Sequence, residues 1–329
     1  METRGDRPLT LITGGTGFIG QKLANRLIEH GERVRLLVRK TSNVSPFAGK
    51  PVELAYGDVT DRTSVKAALT GCKRLYHLAN VYDWWIPNYT QYYRVNVEGT
   101  RNVLEAAMAA GVEKTVYTST YATLGCGENT KTEDTSRSGP FLCEYERTKY
   151  LGEQEALKLA QEGLPLVVVM PTGVYGPGDT KITGRLLAAY LNRRLPALIN
   201  MRTNMVFVDD VVEGHIAAME RGRPGEKYIM GGENASSRDV LSLVAEMEGR
   251  RWIPPTIPHW MGMAAGLFYE MGAKLTGKPP LISRDFVRFF SKPLCVSNEK
   301  ACTQLGVSFT PLREGLRRHI EWLKETGEV

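Results

Sequence analysis

From Leu9 to Met170 short apolar runs rich in β-branched residues alternate with segments of helical periodicity, and this alternation restricts the fold more than any other feature of the chain. The strand-like runs read LTLIT, VRLLV, VELAY, RLYHLA, KTVYTST and LPLVVVM. Helical patterns lie at Phe18–Glu29, Arg62–Leu69, Val97–Ala110 and around Tyr145–Gln161. A helix between two strands carries the chain back across the sheet, so successive strands come out parallel. Right-handed crossovers then cover both faces, and the expected fold is α/β with a doubly wound parallel sheet.

After Pro171 the rhythm changes. A turn signal at GPGD precedes helical stretches near Arg185–Asn192 and Asp210–Arg221, a strand at EKYIM and a capped helix from Ser236 or Ser237 through Met247. Residues 250–329 read as irregular and Pro-rich around WIPPTIPHW, then close on a helix with Leu312, Leu316, Ile320 and Leu323 along one face. The expected division is a first domain over 1–175, with 206–232 returning to it, and a smaller mixed α/β lobe over 176–329. No low-complexity linker and no internal repeat interrupts the chain.

Composition excludes several classes. Lys and Arg number 42 against 36 Asp and Glu, and the surplus reads as scattered, which argues against nucleic acid and slightly favours anionic ligands. Five cysteines form no CxxC pair and are odd in number, which fits reduced thiols in the cytoplasm and neither a disulfide framework nor a metal site. The N-terminal METRGDRPLT is polar, and no run reaches the roughly 18 apolar residues of a spanning helix, so a protein without an integral membrane segment is expected.

Gly14, Gly15, Gly17 and Gly20 sit where LTLIT turns into a helix whose inward face carries Ile19, Leu23 and Leu27. The early glycines permit the tight turn, Gly17 lets backbone N–H groups approach a pyrophosphate at the positive helix end, and Gly20 allows close helix packing. With a strand before and further βα units after, this is a dinucleotide site of the Rossmann type. An acidic residue closing the second strand would bind a ribose hydroxyl; here stand Arg39 and Lys40, so NADP is favoured over NAD. The alternative is that Arg39 stacks on adenine or lies in solvent. Asp58, ending the third strand, can accept from the adenine amino group or cap the following turn.

Tyr145 and Lys149 in CEYERTKYLGE are one helical turn apart and share a face. A phenol with a pKa near 10 is a poor proton carrier at neutral pH, and an adjacent ammonium lowers that value toward the working range. VYTSTYATLG places hydroxyls at the C-terminal end of a strand, where open α/β sheets bind ligands. The aromatic stretch VYDWWIPNYTQYY follows the fourth strand; Tyr82, Trp84 and Trp85, with Tyr121 and Tyr175, are candidate walls of an apolar pocket, the alternative being a helix-packing or dimer patch. HWMGMAAGLFYEMGAKL is a second candidate wall; lobe packing is favoured over contact with a membrane surface. His77 reads as a satisfied core histidine, Asp209 or Asp210 as a helix cap with His215 inside that helix, and Arg202 as a weaker anchor candidate for an anionic group, a solvated loop arginine being favoured.

The glycine pattern, HLAN, NVEGTRNVLEAA, YTSTYATLG, YERTK, PTGVYGPGD, FVDDVVEGH and VSNEKACTQLG occur in an order that resembles the extended short-chain dehydrogenase/reductases, in the dihydroflavonol reductase-like group. VELAYGDVTD, CEYERTK, GENAS and LTGKPPLIS are most similar to plant farnesol dehydrogenases, with bacterial hopanoid-associated sugar epimerase-like proteins farther off. The resemblance implies that Tyr145 is the catalytic acid or base and that Lys149 lowers its pKa and holds the nicotinamide ribose. It also implies that Thr120 holds the substrate oxygen where the family has serine, Ser119 turning to the other strand face. Asn96 resembles the family asparagine that supports a proton relay; a helix N-cap is its other reading. Cofactor contacts implied in the same way are Gly14, Thr16, Gly17, Phe18, Ile19, Gly20, Arg39, Lys40, Asp58, Val59, Leu78, Ala79, Asn80 and Lys149, with Pro171, Gly173 and Val174 beside the nicotinamide. A homodimer through two helices of the first domain is a further family expectation.

These readings converge on an NADP(H)-linked oxidoreductase for an apolar alcohol, aldehyde or ketone, an isoprenoid among them. A nucleotide-sugar epimerase or dehydratase that retains NAD is the alternative, and a redox-sensing binding protein ranks last because Asn96, Thr120, Tyr145 and Lys149 are all present.

Overall fold

The computed structural model describes residues 7–329. Strands β1 (Leu9–Thr13), β2 (Arg33–Val38), β3 (Val52–Tyr56), β4 (Cys72–His77) and β5 (Lys114–Thr118) alternate with helices α1 (Phe18–Glu29), α2 (Arg62–Leu69), α3 (Thr90–Tyr93) and α4 (Thr100–Ala109). An edge strand β6 (Gly127–Lys131) and helix α5 (Glu144–Gln161) lead to β7 (Leu166–Pro171) and β8 (Gly173–Tyr175). Then come α6 (Ile182–Leu191), β9 (Leu198–Ile199), β10 (Arg202–Phe207), α7 (Val208–Arg221), β11 (Lys227–Met230), β12 (Glu233–Ser236) and α8 (Ser237–Met247). The chain closes with β13 (Thr256–Ile257), α9 (His259–Thr276), α10 (Arg284–Phe289), β14 (Leu294–Val296), α11 (Glu299–Leu305) and α12 (Leu312–Glu325).

Seven parallel strands form the main sheet in the order β11-β7-β5-β4-β1-β2-β3. The direction of winding reverses between β1 and β4, which opens a crevice beyond the carboxyl ends of those two strands. Central strands are apolar without alternation because helices cover both faces; Leu166 to Met170 are wholly buried. One core packs Leu11, Leu75 and Val168 with α2, α4 and α5, and the other packs Ile12, Val116 and Val169 with α1 and α7.

A second, mixed sheet of five strands runs β12-β10-β14-β6 with β8 beside β10. Only the β10–β12 pair is antiparallel. A third core under this sheet gathers Leu187, Phe207, Leu241 and the α12 stripe of Leu312, Leu316, Ile320 and Leu323. Ser236 caps α8 through a reciprocal box with Asp239.

Three expectations change. Residues 250–329, read as irregular, are mostly regular, and α11 packs back on α7 and β11. The helix read as Val97–Ala110 is preceded by α3 and by a π-helical turn at Arg94–Gly99, because buried Tyr92 anchors a turn earlier. Neither Asp209 nor Asp210 caps α7: Phe207 holds that position, Asp209 pairs with Lys22 at 3.2 Å, and Asp210 accepts from the Thr310 hydroxyl at 2.8 Å.

Candidate active site

The glycine turn lies at the crevice. Gly14 adopts φ +73°, and a Cβ there would fall 2.7 Å from the Leu78 carbonyl carbon and the Ala79 nitrogen. A Cβ at Gly20 would lie 2.2 Å from the Gly14 oxygen, so helix and turn touch only through glycine. Gly17 caps α1 without a side chain, and the first intrahelical bond is Gln21 N–H to the Gly17 carbonyl at 2.8 Å. The N–H groups of Phe18 and Ile19 therefore have no helical acceptor and face the crevice end of the dipole. A cradle that any Cβ would fill, beside free N–H groups, fits a dinucleotide pyrophosphate.

Around this turn, Arg39 and Lys40 are exposed just beyond β2. Asp58 Oδ1 accepts the Thr60 N–H at 2.9 Å and hydroxyl at 2.8 Å, so this carboxylate caps its own turn. Val59 is buried against Gly99, and Asn80 folds back onto the Leu78 carbonyl at 2.8 Å. Thr16, Phe18 and Ile19 are half-buried at the start of α1. Pro171 ends β7, and Gly173 and Val174 pair with Met205 and Val206.

Tyr145 is buried in the first turn of α5, with the Thr120 hydroxyl close enough to act on its phenol. Burial is the largest influence on the phenol and raises its pKa; the Thr120 hydroxyl opposes it. Lys149 is buried one turn on, its Nζ donating to the Thr118 carbonyl at 2.8 Å above the Tyr117 ring. Burial pulls its pKa down to about 8 against the opposing charge of Glu153. The phenol, expected to be lowered by Lys149, lies above its ordinary value because burial outweighs the opposing influence of Thr120, and the Lys149 ammonium is directed at the carbonyl that ends β5. Thr118 and Thr120 are two residues apart, so both side chains of α5 address neighbouring positions beyond β5.

Asn96 lies within the π-helical turn and is not a helix N-cap. Its Oδ1 accepts the Val81 N–H at 2.7 Å, and its Nδ2 donates to the Val81 carbonyl and the Thr148 hydroxyl, each at 3.2 Å. It ties the start of the aromatic loop to α5. Ser119 donates to buried Glu153, two helical turns along α5 from Tyr145. His77 bonds Thr13 at 2.6 Å and Thr100 at 3.2 Å, and burial, then the charge of Lys149, push its pKa down to about 3. It is a neutral core histidine. His215 donates from Nδ1 to the Val211 carbonyl, leaving Nε2 to accept from Thr118 at 2.9 Å.

A cavity of about 220 Å³ opens on Tyr145 and Thr120. Tyr82, Trp84 and Tyr121 line it, and among the described residues of its lining there is no Asp, Glu, Lys, Arg or His. Trp84 meets Tyr145 edge-on at 5.2 Å between centroids and packs on Phe289 at 4.9 Å. Phe286, Phe289 and Phe290 of the α10 region were outside the expected wall, although their spacing in RDFVRFF marks one apolar helix face. Trp85 lies instead in an adjoining groove with Lys181 and Arg185. Tyr175 is not a wall: it is fully buried, donates to the Leu312 carbonyl at 3.3 Å and lies beneath α12, where Gly315 leaves room for its hydroxyl.

A doubly wound sheet with a glycine cradle at its reversal point, and a buried tyrosine poised beside it, defines a nicotinamide-dinucleotide oxidoreductase acting on CH–OH or C=O groups. Residues 10–231 match the NAD dependent epimerase/dehydratase family, and the chain belongs to it, among the extended short-chain dehydrogenase/reductases. It is 34% identical to a putative dihydroflavonol 4-reductase of Synechocystis sp. over 97% of this chain and 95% of the relative. It is 29% identical to sterol demethylase protein B of Methylococcus capsulatus, over 97% and 99% of the two chains. In structure it is similar to gox2253, with a TM-score of 0.84 and 36% identity over 98% of this chain and all of the other. UDP-glucuronic acid 4-epimerase from Bacillus cereus, in complex with UDP-glucuronic acid and NAD, shares the fold at 22% identity, a TM-score of 0.78 and coverage of 97% and 99%.

Proposed function

We propose that this protein is an NADP(H)-dependent oxidoreductase for an apolar alcohol, aldehyde or ketone, with isoprenoids in its substrate class. The observation that carries the reading is the uncharged cavity in front of Tyr145. A nucleotide sugar brings a diphosphate that requires cationic or N–H partners once desolvated, whereas this lining supplies aliphatic and aromatic surface with a few hydroxyls. Bound in the glycine cradle, the cofactor supplies hydride exchange at nicotinamide C4. Thr120 and Tyr145 hold the substrate oxygen, and Tyr145 gives that oxygen its phenolic proton on reduction or takes it back on oxidation. Because burial raises the phenol, Tyr145 is protonated at neutral pH, the state that donates. Trp84 and the α10 phenylalanines keep water from the reacting carbon.

Nicotinamide absorbance followed against prenyl, aryl and steroid alcohols and carbonyls, beside UDP-sugars, tests this. Turnover is expected with the apolar panel and none with the sugars. Release of retained NAD on denaturation, together with conversion of a UDP-sugar, would establish the epimerase reading instead.

Arg39 supports the NADP preference, since it stands exposed where an acidic residue would bind the ribose hydroxyl. Arg39→Asp is expected to shift the ratio of kcat/KM for NADPH over NADH by roughly ten- to a hundredfold toward NADH. An unchanged ratio removes the argument from the 2′-phosphate.

A further inference from the structure

Helix α9 is apolar on two opposite faces. Gly262, Ala265 and Tyr269 line the cavity, and Gly266 lets the helix lie on the start of α10, where a Cβ would come within 2.9 Å of the Arg284 nitrogen. The other face carries Trp260, Leu267, Phe268, Met271 and Leu275 at helical spacing. It is open to solvent: Trp260 is 71%, Phe268 72% and Leu275 88% exposed. One contiguous stripe of large side chains is unlike the single apolar residues that any surface carries.

Charge selects the occupant. The basic surplus, which reads as scattered, is in fact concentrated: residues 250–292 hold seven Lys and Arg against two Asp and Glu, giving five of the chain's six net positive charges. Both acids are neutralised, Glu270 by Arg284 at 2.8 Å and Asp285 by Arg288 at 3.0 Å. Lys274 and Lys278, exposed at the end of α9, pair with no carboxylate among the described residues. A second copy docked face to face would set these like charges against one another. An anionic lipid surface complements both the stripe and its ammonium groups.

We propose that α9 docks this protein on the surface of an anionic bilayer, with Trp260, Phe268, Met271 and Leu275 entering the boundary between headgroups and acyl chains. No helix among the described residues is long and apolar enough to cross a membrane, so the contact is with one leaflet. Tyr269, which lines the cavity yet is 42% exposed, sets the cavity beside the docked face, a short path for an apolar substrate dissolved in lipid.

Flotation of the full chain with vesicles of phosphatidylcholine alone, or mixed with phosphatidylglycerol, tests the proposal without cofactor or turnover, so it stands or fails apart from the proposed reaction. Binding is expected to the anionic vesicles, weakening at least about tenfold in high salt or on neutral vesicles. Trp260→Ser, Phe268→Ser and Leu275→Ser combined should lose about a hundredfold in partitioning. Its melting temperature and its rate on a water-soluble carbonyl should match the parent, since none of the three lines the cavity. Absence of binding overturns the proposal, as does equal, salt-independent binding to neutral vesicles. A dimer in light scattering that the triple variant dissociates, without vesicle binding, overturns it in favour of a second copy on the stripe.

Discussion

Tyr145→Phe is expected to lower kcat by about a thousandfold or more and to leave cofactor affinity within a few-fold of the parent. The size of the effect follows from what the substitution removes. The ring is held by edge contacts from Trp84 at 5.2 Å and Tyr82 at 5.7 Å, so a phenyl group occupies the same volume and α5 keeps its position. Only the hydroxyl goes, and with it the proposed carrier of a proton to the substrate oxygen. Thr120 keeps its bond from the Ala122 N–H at 3.3 Å and can still orient that oxygen, but its hydroxyl is not buried beside a base that would let it replace a phenol. The glycine cradle lies on another loop and is untouched. Steady-state rates on a reducible apolar carbonyl, beside fluorescence titration of NADPH, separate the two terms. A variant that turns over at the parent rate would refute the role of Tyr145. One that loses cofactor binding as well would show that the phenol holds the site together instead of serving its chemistry.

The central sheet was legible because its strands are buried on both faces. Leu166, Val167, Val168, Val169 and Met170 read as a continuous apolar run, and burial of the whole run is what the fold does with it. The second sheet was not, because β10 places Thr203 and Asn204 in the interior. Asn204 is satisfied there by the Gly232 carbonyl at 3.2 Å and by Thr172 at 2.9 Å, partners far away in sequence that no local periodicity reveals. The same separation hid part of the site. Trp84 was visible as an aromatic residue after β4, but the phenylalanines that complete its wall come from α10, about two hundred residues on. Tyr175 looked equally exposed to ligand until α12 is laid over it. The spacing of Tyr145 and Lys149 gave their shared helix face; the acceptor that claims the ammonium is a backbone carbonyl at the end of β5, and a sequence carries no sign of where carbonyls point.

Arg137→Met is expected to destabilise the fold by about 3–5 kcal/mol at neutral pH. Arg137 pairs with Glu146, their side chains only 7% and 1% exposed. The guanidinium also donates to the Gly139 carbonyl at 3.0 Å and stacks on Phe141 at 4.0 Å, tying the loop before α5 to the helix that carries Tyr145. Methionine fills part of the volume but leaves the carboxylate buried, with the Leu142 N–H at 2.6 Å as its remaining partner on that loop. The pH dependence gives the test its direction. Burial, the largest influence, raises the pKa of Glu146, while the Leu142 N–H and Arg137 pull it back. Without Arg137 the native carboxyl rises further above its unfolded value, so the folded state holds the proton more tightly than the unfolded chain does. The contribution of such a group is fully present below the unfolded pKa and is lost as pH rises through the folded one. The deficit of the variant should therefore shrink as pH falls from about 7.5 toward about 4.5 in urea unfolding, the lower limit being set by the carboxyl range. Adding Glu146→Leu should recover most of the loss, because removing both charges costs far less than stranding one. If Arg137→Met loses under about 1 kcal/mol at every pH, the pair does not hold the start of α5, and the placement of Tyr145 must come from Asn96 and the aromatic wall instead.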